Sequence, residues 1–254
     1  MKIGAQTYTT CLYMKNERDI IRSLQRIADI GYTTVQISGI GPIKPQRLRS
    51  ICDDLGLAIV LTHSGEDRFL NDVEGLIEEN EILGSKYIGL GAMSDRYRSR
   101  DGQWLNYFIE DFKLPAQKIA AAGKLFMYHN HHFEFEKVDG KLRMDVLLEG
   151  FAPDEMGVTL DTYWVQAAGA DICDWIEKLN GRVPCIHLKD MAVENGTSVM
   201  APVMEGNIPF AKILQLLEEQ GNTEYLLVEQ DNWSESPFVC LKKSYDNLAS
   251  LGYK

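Results

Sequence analysis

One pattern recurs eight times along the chain: a short apolar run without polar alternation, then a longer segment whose apolar residues return at helical spacing. A strand with one wet face alternates apolar and polar residues, so unbroken apolar runs mark strands covered on both faces, as in a parallel sheet. The strand runs are read at 2–8, 33–38, 57–63, 87–91, the apolar lead of 124–136, 157–161, 183–187 and 225–229. Between the first of them, Asn16 is placed to cap a helix carrying Ile20, Ile21, Leu24, Ile27 and Ala28, which Gly31 ends. Pro45 opens a second helix with Leu48, Ile51, Cys52 and Leu55, and 71–83 forms a third before Gly84. Residues 104–123 read as a helix broken near Pro115, with later helices at 144–148, 171–179, 209–217 and 237–251. The polar stretch 92–103 reads as a loop over a site. Eight strand-then-helix units with no Pro-, Gly- or Ser-rich linker predict a single-domain (β/α)8 TIM barrel spanning 1–254. An open doubly wound sheet is the alternative, but no GxGxxG or GxxxxGK[ST] follows the first strand to supply its phosphate site.

The net charge of −11 argues against nucleic acid or an anionic membrane surface as the main partner. The five cysteines are odd in number, widely spaced and free of any CxxC pair, so neither a disulfide framework nor a zinc ribbon is indicated and a reducing cytoplasm is expected. The start, MKIGAQTYTT, has no apolar signal region, and no apolar run reaches membrane-spanning length. A small-molecule partner fits this charge, and homo-oligomerisation is left open.

In a barrel of this type the site lies at the C-terminal ends of the strands, so the polar residues that terminate apolar runs are the candidates. They are Gln6 and Tyr8 on strand one, Gln36 on strand two, His63 on strand three, His129 and His131 on strand five, Asp161 on strand six, His187 with Lys189 on strand seven, and Glu229 with Asp231 on strand eight. Three of the five histidines fall in KLFMYHNHHFEFE, residues 124–136. Asp161, His187 and Glu229 make a mixed oxygen and nitrogen set suited to Mn²⁺, Mg²⁺, Co²⁺ or Zn²⁺, with a coordination position left for substrate oxygens.

The segments GVTLDTYW, CIHLKDM, MEGNI and YLLVEQDNW, taken in order, resemble the signatures of the xylose isomerase-like sugar phosphate isomerase/epimerase superfamily, and the resemblance covers essentially the whole chain. It implies a (β/α)8 barrel with one divalent metal, Mn²⁺ favoured, held by residues of strands five to eight. Asp161, His187 and Glu229 match the ligands of strands six to eight. On strand five many relatives carry a glutamate that binds metal and moves a proton; this chain has His129, followed by Asn130 and His131. The HNHH run is more similar to inosose dehydratases and related keto-sugar lyases, which makes His129 the fourth ligand, with Glu134 as a substitute if its loop folds back.

These readings lead to a metal-dependent isomerase or epimerase acting on a small sugar or keto-sugar through an enediolate, with Glu229 or His131 as base and His63 or Lys189 as acid or oxyanion partner. Gln6, Gln36, Glu134, Trp164 and Trp233 are the substrate-binding candidates; Tyr163 beside them, and Glu205 with Gly206, are further ones. The alternatives are a lyase or dehydratase eliminating beta to the carbonyl of a keto-inositol or keto-glycoside, a sugar-binding barrel without turnover, and an endonuclease-like relative that the charge disfavours.

Overall fold

A computed structural model describes residues 1–98 and 104–254. Eight parallel strands close into a barrel: β1 (Lys2–Gln6), β2 (Thr34–Ile37), β3 (Ala58–Ser64), β4 (Tyr87–Leu90), β5 (Leu125–His129), β6 (Met156–Asp161), β7 (Cys185–Leu188) and β8 (Tyr225–Val228). Each strand pairs with its neighbours in sequence, and β1 pairs with β8 to complete the circle, Ala5 opposite Val228. The TIM barrel expected from the eightfold pattern is therefore the fold, and the open-sheet alternative is excluded.

Strand pleat explains how the site arises, because side chains two residues apart share a face. Leu61, Tyr87, Met127, Cys185 and Leu227 form an apolar cluster inside the barrel, separate from the larger core between strands and helices. One pleat further along the same face come His63, Gly89, His129, His187 and Glu229. The other strands follow suit, with Gln6 above Gly4, Gln36 above Thr34 and Asp161 above Thr159. Gly4 is tightly enclosed here: an added Cβ would lie 2.6 Å from both Leu227 and Thr34. A polar ring thus sits directly on an apolar floor.

The helices are α1 (Glu17–Ile30), α2 (Pro45–Asp54), α3 (Glu66–Asn71), α4 (Val73–Leu83), α5 (Trp104–Ala121), α6 (Arg143–Gly150), α7 (Thr162–Ala167), α8 (Ile172–Lys178), α9 (Phe210–Gln220) and α10 (Pro237–Ser250). Asn16 caps α1 by accepting the Asp19 N–H, as its position before the apolar stripe suggests. Three expectations need correction. The first strand stops at Gln6, whose side chain accepts the Tyr8 N–H and turns Thr7–Tyr13 into a 3-10 helix. The helix expected at 71–83 starts only at Val73, because Asp72, at φ −150° and ψ 45°, separates it from α3. Nor does Pro115 break α5; it removes one backbone donor, while Phe108, Phe112, Ala116 and Ile119 stay fully buried along one face and hold the helix together. The polar stretch 92–103, read as a loop, contains a 3-10 turn at Asp95–Tyr97, and its residues 99–103 lie outside the described ones.

Two hairpins interrupt the βα repeat. Lys137–Val138 pairs with Lys141–Leu142, and Asp190–Glu194 with Thr197–Ala201. Their tips are Asp139-Gly140 and Asn195-Gly196, all four with positive φ, the turn that matches strand twist in two-residue loops. Among the described residues no helix is long and apolar enough to cross a membrane. None of the five cysteines is disulfide-bonded, and all but Cys11 are buried.

Candidate metal centre

His129, Asp161, His187 and Glu229 each offer one donor atom to a shared point, the four atoms lying within 4.8 Å of one another. Strand register sets this up, since Asp161 is directly opposite His187 and Leu227 opposite His187 on the other side, with Glu229 one pleat beyond. All four side chains are buried, the least so His129 at 4 % exposure.

In each of the four, one polar atom is tied to the scaffold and another is left facing the centre. His187 Nε2 lies 2.7 Å from Gln36 Oε1, so it carries the proton and donates, leaving Nδ1 toward Asp161 and Glu229. His129 Nδ1 donates to the Gly91 carbonyl at 2.8 Å, leaving Nε2 toward Asp161. Glu229 Oε1 accepts from Gln6 Nε2 at 3.0 Å and Asp161 Oδ1 accepts from the Trp164 N–H at 3.0 Å. The remaining pair, His187 Nδ1 and Glu229 Oε2, stand 2.9 Å apart without hydrogen-bond geometry, and Glu229 Oε2 also lies 2.9 Å from Lys189 Nζ. A ring nitrogen and a carboxylate oxygen so placed, with the donors of His129 and Asp161 beside them, could hold one cation.

Charge points the same way. Lys189, 1 % exposed, reaches Asp161 at 3.0 Å, Glu229 at 2.9 Å and Asp231 at 3.0 Å, so three carboxylates surround one ammonium. Burial opposes ionisation of Asp161 and Glu229, but the Lys189 charge outweighs it and holds both well below the usual carboxylate range. Burial likewise pulls His187 down, and Glu229 with Asp161 more than compensates, raising it to about 9. The cluster recruits positive charge wherever it can, and a divalent ion would satisfy the same demand.

A cavity of about 290 Å³ opens over this cluster, lined by Gln6, Tyr8, Ser38, His63, His131 and Lys189 among others. His63 and His131 each present a buried unpartnered nitrogen, Nε2 and Nδ1 respectively. Burial, reinforced by His129, lowers both; His131 falls to about 3, so each imidazole is neutral at ordinary pH. Gly89 and Gly91 make room for His63, whose ring would lie within 2.9 Å of a Cβ at either position. The His131 and His132 rings pack against Trp164, whose ring centre lies 5.6 Å from Lys189 Nζ.

An xylose isomerase-like TIM barrel family model matches residues 24–242, most of the chain. The chain belongs to this family. Members of the xylose isomerase-like family are generally sugar-processing enzymes, isomerases, epimerases and dehydratases among them. A sugar phosphate isomerase/epimerase from Parabacteroides distasonis ATCC 8503 superposes with a TM-score of 0.77 at 24% identity, covering 97% of this chain and 93% of that one. The probable 3-DHS dehydratase from Bacillus anthracis gives 0.75 at 16%, covering 98% and 99%, and an L-ribulose 3-epimerase gives 0.73 at 16%, covering 98% and 94%. At such identities the likeness to these structures is one of fold. No curated protein sequence matches the chain.

Within this family frame, two residues singled out from sequence stand apart from the cluster. Glu134 is fully buried but turns back on its own loop, accepting from the Tyr128 hydroxyl at 2.6 Å and the His131 N–H at 2.9 Å; it is not among the four converging donors. Trp233 lines a separate depression with Tyr163. Gln6 and Gln36, read as substrate-binding, are bonded to Glu229 and His187. Residues without a sequence signal also matter: Asn130 Oδ1 accepts the Asp161 N–H, and the Gly91 carbonyl orients His129.

Proposed function

We propose that this chain is a divalent-metal-dependent enzyme that moves a proton on the carbon beside the carbonyl of a small sugar or keto-sugar, as an isomerase or epimerase. The convergence of the four buried donors of His129, Asp161, His187 and Glu229 under an open cavity carries the reading. Their oxygen and nitrogen chemistry suits Mn²⁺ first, with Mg²⁺, Co²⁺ and Zn²⁺ as alternatives. Once bound, such an ion supplies Lewis-acid polarisation of the substrate carbonyl, which acidifies the adjacent C–H.

The protein's own groups handle the proton. His131, neutral and with Nδ1 free, accepts it on one side of the cavity, and Glu229 is the alternative base. Across the cavity His63, steadied by Ser38 at 3.3 Å, returns a proton through Nε2. Lys189 places a fixed positive charge where negative charge develops on oxygen, and Trp164 packs against the His131 ring and holds it in place. β5 delivers an imidazole rather than a carboxylate, and Glu229 is already bonded to Gln6. That observation favours a second reading, in which the same proton abstraction is followed by loss of a beta leaving group, as in a lyase or dehydratase.

Elemental analysis should find about one divalent ion per chain in the wild type and almost none in a folded Asp161→Ala variant. The metal-loaded protein should then exchange deuterium from solvent into at least one member of a panel of ketoses and keto-sugars. A full complement of metal in Asp161→Ala would sink the ligand assignment. Sugar binding with no exchange into any member would leave a non-catalytic sugar-binding barrel.

A further inference from the structure

Beside the metal-site cavity lies a second depression of about 340 Å³, formed by Tyr163, Trp233, Asn232, Ser198, Ser234 and Glu194 with neighbouring hairpin residues. The two adjoin along the chain: Asp231 lines the first and Asn232 the second. The Asp231 N–H donates to Met200 Sδ at 3.2 Å, and Met200 also lines the second depression, so the hairpin is fastened at the boundary. Tyr163, which lines this second depression, follows Asp161 by two residues.

We propose that this depression is a second sugar subsite contiguous with the metal-site cavity, and that the substrate is an unphosphorylated glycoside whose second ring rests between Tyr163 and Trp233. The inference builds on the sugar-directed activity proposed above and narrows its substrate class. Two half-buried aromatic faces offer contact to the C–H side of a pyranose or to an aryl aglycone, while Asn232, Ser198, Ser234 and Glu194 can bond ring hydroxyls. Each space alone is near the lower limit of small-molecule sites, about 300 Å³; the two together suit a two-ring ligand. The absence of a phosphate counter-charge is equally informative. Among the described residues lining either space, Lys189 is the one cation, held by three carboxylates, and the second depression contributes Glu194, which would repel a phosphate.

The test uses Mn²⁺-loaded protein and the α- and β-phenyl glycosides of glucose, galactose, mannose and xylose beside their methyl counterparts, the free sugars and the 6-phosphates of the three hexoses, with affinities read by calorimetry. For every sugar that binds, the phenyl glycoside should bind at least tenfold more tightly than the methyl glycoside, and each 6-phosphate more weakly than the free sugar. In Trp233→Ala the phenyl-to-methyl ratio should fall to within about twofold of one, and Ser198→Trp, which fills the depression from the hairpin, should do the same, with metal content normal in both. Equal phenyl and methyl affinities in the wild type, an unchanged ratio in both variants, or tighter binding of a 6-phosphate would overturn the subsite while leaving the sugar reading intact. Failure of every sugar to bind a fully metal-loaded protein would overturn both.

Discussion

His129 and His131 are two residues apart, yet their surroundings differ. His129 has its Nδ1 proton committed to the Gly91 carbonyl and its Nε2 turned to Asp161, the arrangement of a metal-ligating imidazole. His131 lies past the end of β5, its ring 4.8 Å from that of His129, with Nδ1 unpartnered. His129→Ala should therefore lose the ion, whereas His131→Ala should retain it and lose turnover by about 10² to 10⁴. Metal analysis and kinetics on the same preparations separate the two effects. Retention of metal in His129→Ala would remove it from the ligand set; undiminished α-proton exchange in His131→Ala would shift the base to Glu229.

At the scale of elements, the loop after β5 is stapled by Glu134, and that staple has a pH signature. Burial raises Glu134 from an ordinary value of 4.5 to about 7, although the Tyr128 and His131 donors pull the other way. Because the folded value is the higher one, its contribution to stability is complete below about pH 4.5 and is lost as pH rises through about 7, amounting to about 3 kcal/mol. Glu134→Gln cannot ionise, so denaturant unfolding at pH 4 and pH 8 should show the wild type losing about that much stability relative to the variant. Any fixed penalty from setting an amide against the His131 N–H is the same at both pH values and cancels. Parallel behaviour of the two proteins would show that Glu134 does not titrate in this range.

The elements also show what could be read beforehand. The barrel strands were legible to within about two residues because their apolar runs reflect burial on both faces, a property of composition. Six-residue helices such as α3 and α7 complete under two turns, too few for a helical period to register. The hairpins carried a signal that was available, Asp139-Gly140 and Asn195-Gly196, but they lie where the βα repeat predicts only loops. In the site, the polar residues that end strands could be named because the pleat places them. Their orienting partners could not: Gln36 meets His187 across the barrel, 151 residues away, and a backbone carbonyl such as that of Gly91 has no sequence signature. Trp233 was readable as an aromatic beyond Glu229, but its separation from the metal cavity depends on how the hairpin 190–201 folds over.

For the molecule as a whole, the distribution of its sulfur has a practical outcome. Cys185 belongs to the barrel floor, Cys52, Cys173 and Cys240 are buried on the inner sides of helices, and Cys11 alone, in the 3-10 turn after β1, is partly open. Burial pushes the four buried thiols up, Cys52 to about 12, which suppresses their reactive thiolate at neutral pH. Thiol titration of the native protein should count one fast group out of five, rising to five in denaturant; two or more fast groups would contradict this packing. Since Cys11 shares its turn with Tyr8, which lines the cavity over the four-residue cluster, the chain carries a ready-made attachment point for a dye three residues along the chain from that lining. Ligand entry can then be followed by fluorescence in the unmutated protein, with every other sulfur silent.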